Sequence, residues 1–312
     1  MNQIKPSGIV TQKEIEELWG ITLDSSMDKK MRDYDFSYQS LNEDEKEYWL
    51  QFIERELVNP RVVKAGDHRL DEWEGGWGEN LKAFISNPTF QSLIPRYYGK
   101  RDIVRWNRTF IKPSQRGFEY NMHALIQEYF FRTYLQDIDS IYEFGCGTGH
   151  NLLRAGRVNQ RALLYGLDWA ETSQRIIETL SRSSLVSSEI KGFKFDFFKP
   201  DYLIKLNENS GVYTSGALEQ VHDQYEAFIE YLIKNKPSLC INMEIMRELM
   251  DQDNEMDAIV LRYAEKRNYL KGFLTYLKKL ESKNIIKIHL IKRLYVGTLF
   301  IESPSCVVWS PL

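Results

Sequence analysis

Between Ile138 and Glu244, short apolar runs alternate with segments whose apolar residues recur at helical spacing. Ser140–Phe144, Ala162–Asp168, Gly192–Phe197, Val212–Ser215 and Leu239–Glu244 read as strands. Asn151–Gly156, Thr172–Leu180, Tyr202–Leu206 and Gln224–Asn235 lie between them and read as helices. Strand–helix alternation at this spacing predicts an α/β fold with a largely parallel sheet, right-handed crossovers and helices on both faces. Past Glu244 come an acidic stretch, one long helical region from Met256 to Ser282, and two last strands at Ile285–Tyr295 and Cys306–Trp309.

The first 115 residues are patterned differently. Thr11–Trp19 reads as a short helix with Thr11 and Glu14 spaced as a capping box. A second helix is expected from Asn42 to Leu57, carrying Tyr48, Trp49, Phe52, Ile53 and Leu57, and Asn59-Pro60 ends it. Asp71–Asn80 combines Trp73 and Trp77 with Gly75, Gly76 and Gly78, and reads as a loop. Such a loop either packs its indoles on the main body or covers a substrate. Ile94–Phe110 is basic and aromatic (Arg96, Tyr97, Tyr98, Lys100, Arg101, Arg105, Trp106, Arg108), suited to an anionic or carbohydrate ligand or to a solvated face. Glu119–Leu135 reads as a helix with an aromatic stripe including Tyr120, Phe130 and Phe131, a pattern typical of core.

Composition narrows the class. Hydrophobic residues at 43% and charged residues at 27% are ordinary for a globular chain. A net charge of −3 supplies no global field for nucleic acid. The N-terminal Met-Asn-Gln-Ile-Lys-Pro has no apolar signal core, and no run is long enough to span a bilayer. Cys146, Cys240 and Cys306 are far apart, form no zinc pattern, and read as buried thiols, so a cytoplasmic location is expected and no metal site is assigned.

Candidate chemistry centres on Glu143-Phe-Gly145-Cys-Gly147-Thr-Gly149, where a strand runs into glycines at alternate positions ahead of a helix. The spelling differs from the dinucleotide fingerprint G-x-G-x-x-G. It resembles the first motif of class I S-adenosylmethionine-dependent methyltransferases, E/D-x-G-x-G-x-G. That resemblance implies a Rossmann-like seven-stranded sheet whose last strand is antiparallel, matched here by five strands plus the terminal pair. It divides the chain into a mainly helical cap or substrate region, 1–115, and a methyltransferase domain, 116–312. It implies S-adenosyl-L-methionine as cofactor, with Glu143, Gly145, Gly147 and Gly149 at the methionine end. Asp168 would take the ribose, Trp169 would flank the adenine, and Asp196 with Phe197 would meet the adenine amine and ring. Asp168 also reads as a cap for the helix at Thr172. Tyr120 and His123 become pocket candidates by the same resemblance.

Ser215 ends the fourth strand and should border the donor, with Glu219 and His222 the nearest titratable groups. Glu244 ends the fifth strand, where a carboxylate faces the cleft and can orient or deprotonate a hydroxyl. Glu244, His222 and Glu219 are therefore the catalytic candidates. The acidic run Arg247–Asp257 could read as a metal site but lacks a calcium-loop pattern, and reads better as a solvated loop or first helical turn. Gly272 stands out as a glycine inside the expected long helix. The last 75 residues loosely resemble bacterial sugar and surface-polysaccharide methyltransferases. The expected function is O-methylation of a small hydroxylated acceptor, such as a sugar in a polysaccharide pathway. A methyltransferase acting on protein or RNA, and a cofactor-binding scaffold without turnover, are the alternatives.

Overall fold

The strand expected at Ser140–Phe144 is buried at every residue, so it needs cover on both faces, and the rest of the fold supplies it. The computed structural model describes residues 8–312; the reading of the first six residues lies outside that range. In chain order come β1 (Gly8–Ile9), α1 (Gln12–Trp19), α2 (Ser25–Asp33), β2 (Ser37–Ser40), α3 (Glu43–Val58) and α4 (Leu70–Ser86). Then follow α5 (Phe90–Leu93), β3 (Val104–Trp106), β4 (Thr109–Pro113), α6 (Phe118–Tyr134), β5 (Ser140–Phe144) and α7 (His150–Val158). The α/β alternation continues with β6 (Leu163–Asp168), α8 (Glu171–Ser181), β7 (Ile190–Lys194), β8 (Ser210–Ser215), α9 (Glu226–Asn235) and β9 (Leu239–Glu244). The chain closes with α10 (Glu255–Arg267), α11 (Phe273–Ser282), β10 (Ile286–Arg293), β11 (Val296–Gly297) and β12 (Ser305–Pro311).

Seven strands form the main sheet in the order β10-β12-β9-β8-β5-β6-β7. The pairs β5–β6, β5–β8, β6–β7 and β8–β9 are parallel. Only β12 runs against its neighbours, β9 and β10, as expected for the last strand. The period-2 alternation sorts side chains between two cores. Ile141, Tyr213 and Ile241 face a cluster that includes Phe130 of α6, Leu152 of α7 and Ile177 of α8. Tyr142, Phe144 and Val212 face Phe228 of α9, Val260 of α10 and Leu277 of α11. Each fully buried side chain of this size stabilises the fold by about 1.5–3 kcal/mol.

The remaining strands form a five-stranded antiparallel sheet, β1-β2-β4-β3-β11. Its last strand comes from the C-terminal part of the chain. The capping box on α1 is present, with Thr11 Oγ1 accepting from Glu14 N–H. Trp19 on that helix donates to the Leu294 carbonyl at 2.7 Å. Arg105 on β3 donates to the carbonyls of Met256 and Leu299. The first 115 residues are thus tied to the C-terminal segments.

Four local expectations change. Residues 71–80 are not a loop but the body of α4. Each interior glycine costs about 1 kcal/mol against alanine. Trp73, Trp77, Leu81 and Phe84 nevertheless lie at helical spacing; Leu81 and Phe84 are buried, Trp77 packs half-buried on the same core and Trp73 stacks on Trp77, and this stripe, together with Glu74 accepting from the α8 N–H groups of Glu171 and Thr172, holds the helix. The region from Met256 to Ser282 is two helices, broken where Asn268 and Gly272 adopt left-handed φ of 57° and 77°. Gly272 precedes α11 rather than interrupting it, a backbone conformation glycine adopts without penalty. Tyr202–Leu206 forms turns rather than a helix, and the third strand ends at Lys194, before Asp196.

Candidate active site

At the carboxyl ends of the parallel strands lies a cavity of about 450 Å³. The crevice outside these strand ends is where open α/β sheets bind ligands. The turn between β5 and α7 forms its floor. Gly145, Gly147 and Gly149 all have positive φ (75°, 51° and 72°), so the alternate glycines are required by the backbone path. Gly145 and Gly147 line the cavity; Gly149 stands just behind, as the residue preceding α7. A Cβ on Gly147 would come within 2.9 Å of the Trp77 indole, so α4 roofs the glycine turn.

Asp168, at the end of β6, lines the cavity and ties its floor together. Oδ2 accepts from Gly147 N–H at 2.8 Å and Oδ1 from Ala170 N–H at 2.9 Å. Asp168 does not cap α8, whose N-cap is Ala170 and whose first N–H groups donate to Glu74; its carboxylate faces the cavity with lone pairs to spare for a hydroxylated ligand. Burial pushes its pKa up to about 6, against the two backbone donors. Trp169, Asp196, Phe197 and Ser215 also line the cavity. Asp196 accepts from Phe198 N–H, which fixes the turn that presents Phe197. Ser215 Oγ accepts from Gln127 Nε2 at 3.0 Å.

Glu143 lies beneath the turn, buried, and does not line the cavity. Its Oε1 accepts from Asn151 Nδ2 at 3.1 Å, while Oε2 has no hydrogen-bond partner among the described residues. Burial drives its carboxyl up to about 8, opposed by neighbouring donors. Asn151 passes the connection to Arg154, whose guanidinium also donates to Gln127 and, at 2.6 Å, to the Tyr120 hydroxyl. A continuous polar chain thus links Glu143 to Ser215 beneath the cavity.

The three catalytic candidates take different places: Glu219 and Glu244 are neighbours at different depths, and His222 lies apart from the cavity. Glu244, expected to face the cleft, is fully buried under it and accepts from Ala217 N–H at 3.2 Å. Its position supports the loop after β8, and burial raises its carboxyl to about 7. His222 lies outside the cavity lining, with Nδ1 3.0 Å from Asp223. Glu219 alone of the three lines the cavity. Protein surrounds its carboxyl while part of its surface opens to the cavity; burial and then the Glu244 charge raise it to about 8.

Other parts of the wall carried no sequence signal. Tyr263 and Arg267 on α10, Tyr269 just after it, and the loop Thr298–Pro304 all meet at the cavity. Trp73 and Trp77 had a signal, their four-residue spacing, which the surrounding glycines obscured. Tyr97, Tyr98 and Arg101 of the basic aromatic stretch also reach the cavity, whereas Arg105 and Arg108 do not. His123 lines it, held neutral by burial and by Arg154, with its pKa lowered to about 4.

Six strands running one way, one reversed strand inserted between β9 and β10, and a glycine turn after the central strand decide the architecture. This is the class I methyltransferase fold. No family model and no curated protein matches the sequence. Among solved structures, the fold is similar to magnesium protoporphyrin IX methyltransferase from Synechocystis PCC 6803 with bound SAH, at 15% identity and a TM-score of 0.47, over 63% of this chain and 87% of that one. It is also similar to the plantazolicin methyltransferase BpumL in complex with SAH, at 12% identity and a TM-score of 0.44, over 78% and 97%. A third is an O-methyltransferase from neocarzinostatin biosynthesis with S-adenosylmethionine and 2-hydroxy-5-methyl naphthoic acid, at 14% identity and a TM-score of 0.42, over 78% and 70%. Among the described residues no helix is long and apolar enough to cross a membrane, and no three His, Cys, Asp or Glu side chains group as metal ligands. All three cysteines are free and buried.

Proposed function

We propose that the protein is an S-adenosylmethionine-dependent methyltransferase acting on the hydroxyl of a small acceptor. The observation that carries this reading is the convergence, on one cavity, of the glycine turn with Asp168, Asp196, Phe197 and Ser215 from four successive strand ends. This donor set fits the cofactor. The Gly145–Gly147 backbone would face the methionine end, Asp168 the ribose hydroxyls, Asp196 and Phe197 the adenine edge and face, and Trp169 the ring's other side. Glu143 holds the turn from beneath, through Asn151. The cofactor supplies a methyl group already activated by its sulfonium. The chain's own tasks are then to align the acceptor oxygen, exclude water and take a proton. Glu219, on the cavity wall, would take the hydroxyl proton, and Glu244 would support the loop beneath it through Ala217. Residues 1–115 close the cavity through α4 and the Tyr97–Arg101 segment, and so set acceptor choice. The acceptor wall is aromatic, which suits either the apolar face of a sugar, as a polysaccharide pathway would require, or a flat ring.

Calorimetric titration with S-adenosylmethionine and, separately, with NAD tests the reading. Binding of the former alone, weakened on the order of tenfold or more in Asp168→Ala, is expected, because hydrogen bonds to a charged group contribute about 1.5–3 kcal/mol. Preference for NAD would overturn it.

A further inference from the structure

We infer that the acceptor is a flat, hydroxylated aromatic ring bearing a carboxylate, recognised by Arg101 and Arg267 within an aromatic enclosure. The inference rests on the methyltransferase reading and deepens it.

The part of the cavity that carries no donor-site residue is built from three separate chain segments. The Tyr97 and Tyr98 rings lie 4.7 Å apart. Tyr263 stacks on Phe300 at 4.6 Å and 15°, and Tyr269 meets Tyr263 edge-on at 6.3 Å. Such walls favour a flat partner, which gains stacking and edge-to-face contact on several sides.

Charge selects among flat partners. Lys100, Arg101 and Arg267 line this part of the cavity, and among the described residues none makes an ion pair within 4 Å, although Arg267 feels the charge of Glu219. Arg69 is different, since Glu72 neutralises it at 2.6 Å. Arg101 lies over the Phe52 and Phe300 rings at 4.7 and 5.4 Å, and Arg267 lies over Tyr269 at 5.2 Å. A guanidinium stacked by its face keeps its in-plane N–H donors for a bidentate carboxylate. Arg267 donates one of them to the Val63 carbonyl, and its buried Nε has no partner. The acids on this wall are Glu119 and Glu219. With Glu219 assigned to the hydroxyl, the three unpaired cations exceed the acid left to balance them. A carboxylate can form charge-assisted hydrogen bonds with these cations, which a neutral sugar cannot. Donor and acceptor share one cavity of about 450 Å³, which limits the acceptor to one or two rings.

The test uses the full chain saturated with S-adenosylhomocysteine and titrated with 2-, 3- and 4-hydroxycinnamate, their methyl esters, and glucuronate. At least one acid should bind about tenfold more tightly than its ester, the size of effect expected for a charge-assisted pair. Glucuronate, which keeps the charge but not the ring, should bind more weakly than that acid. Arg101→Gln and Arg267→Gln should each shrink the acid-to-ester ratio, while affinity for S-adenosylhomocysteine stays unchanged and certifies the fold. Equal affinity of acid and ester, tighter binding of glucuronate, no binding by any hydroxycinnamate, or an unchanged ratio in both variants would overturn the inference and leave the donor site standing. Failure of S-adenosylhomocysteine itself to bind would instead remove the methyltransferase reading, and this inference with it.

Discussion

Gly147→Ala separates two costs that glycine avoids at the cavity floor. The first is conformational: φ is 51°, and an L-residue held in the left-handed region loses about 1–2 kcal/mol. The second is steric: the new methyl would sit 2.9 Å from Trp77 Cζ2, with two more indole atoms at 3.2 Å. Pushing an extra methyl into a packed contact costs typically about 1–3 kcal/mol. Gly216 provides the control, because its φ is 64° and a Cβ there meets nothing within 4 Å. Gly216→Ala should therefore show the conformational cost alone. Urea unfolding midpoints of both variants, of Trp77→Ala and of Gly147→Ala/Trp77→Ala give the full comparison. Gly147→Ala should be more destabilising than Gly216→Ala by about the steric cost, and removal of the Trp77 indole should recover that difference, as a favourable coupling of about 1–3 kcal/mol. Equal destabilisation by the two alanines, or strict additivity with Trp77→Ala, would refute the claim that α4 roofs the glycine turn.

Three further outcomes are expected. If Glu219 is the base, methyl transfer should rise with pH and level off above about 8, where its carboxyl ionises, and Glu219→Gln should lower the plateau by about 10²–10⁴-fold and flatten the profile. Glu143, Glu219 and Glu244 all have folded-state pKa values raised by burial, so the stability each contributes is complete below its unfolded value near 4 and is lost as pH rises through about 7–8. The melting temperature should accordingly fall between pH 6.5 and 8, a window above the titration of the burial-depressed His123 and His150, and Glu143→Gln or Glu244→Gln should make that fall shallower. Arg293 is buried between Asp257 and Glu302, so Arg293→Met takes the ion pair from Glu302 and leaves Asp257 with the longer Arg108 contact, and should cost about 3–5 kcal/mol in urea unfolding; a loss below 1 kcal/mol would deny these pairs their structural role.

Local chemistry along the chain was sufficient for the scaffold. Apolar runs of five or six residues ending in Gly145, Asp168 or Glu244 can satisfy their backbone and bury both faces only as central strands, and the observed β5, β6 and β9 keep nearly those boundaries. The alternate glycines were legible for the same reason: no other residue follows that backbone path cheaply. Asp168, Trp169, Asp196, Phe197 and Ser215 could be placed near them because strand order carries each strand's carboxyl end to the same edge. Depth and distance between segments were not legible. Glu219 and Glu244 have similar claims in the sequence, yet the loop after β8 passes over Glu244 and leaves Glu219 open to the cavity. Three glycines argue for a loop at Gly75–Gly78 when only propensity is counted; burial of Leu81 and Phe84, with Trp77 packed half-buried beside them, outweighs that penalty and makes a helix. The acceptor wall is the extreme case. Tyr97, Arg267 and Phe300 are separated by 170 and 33 positions in the numbering, share no periodicity, and meet only because β11 returns the end of the chain to β3.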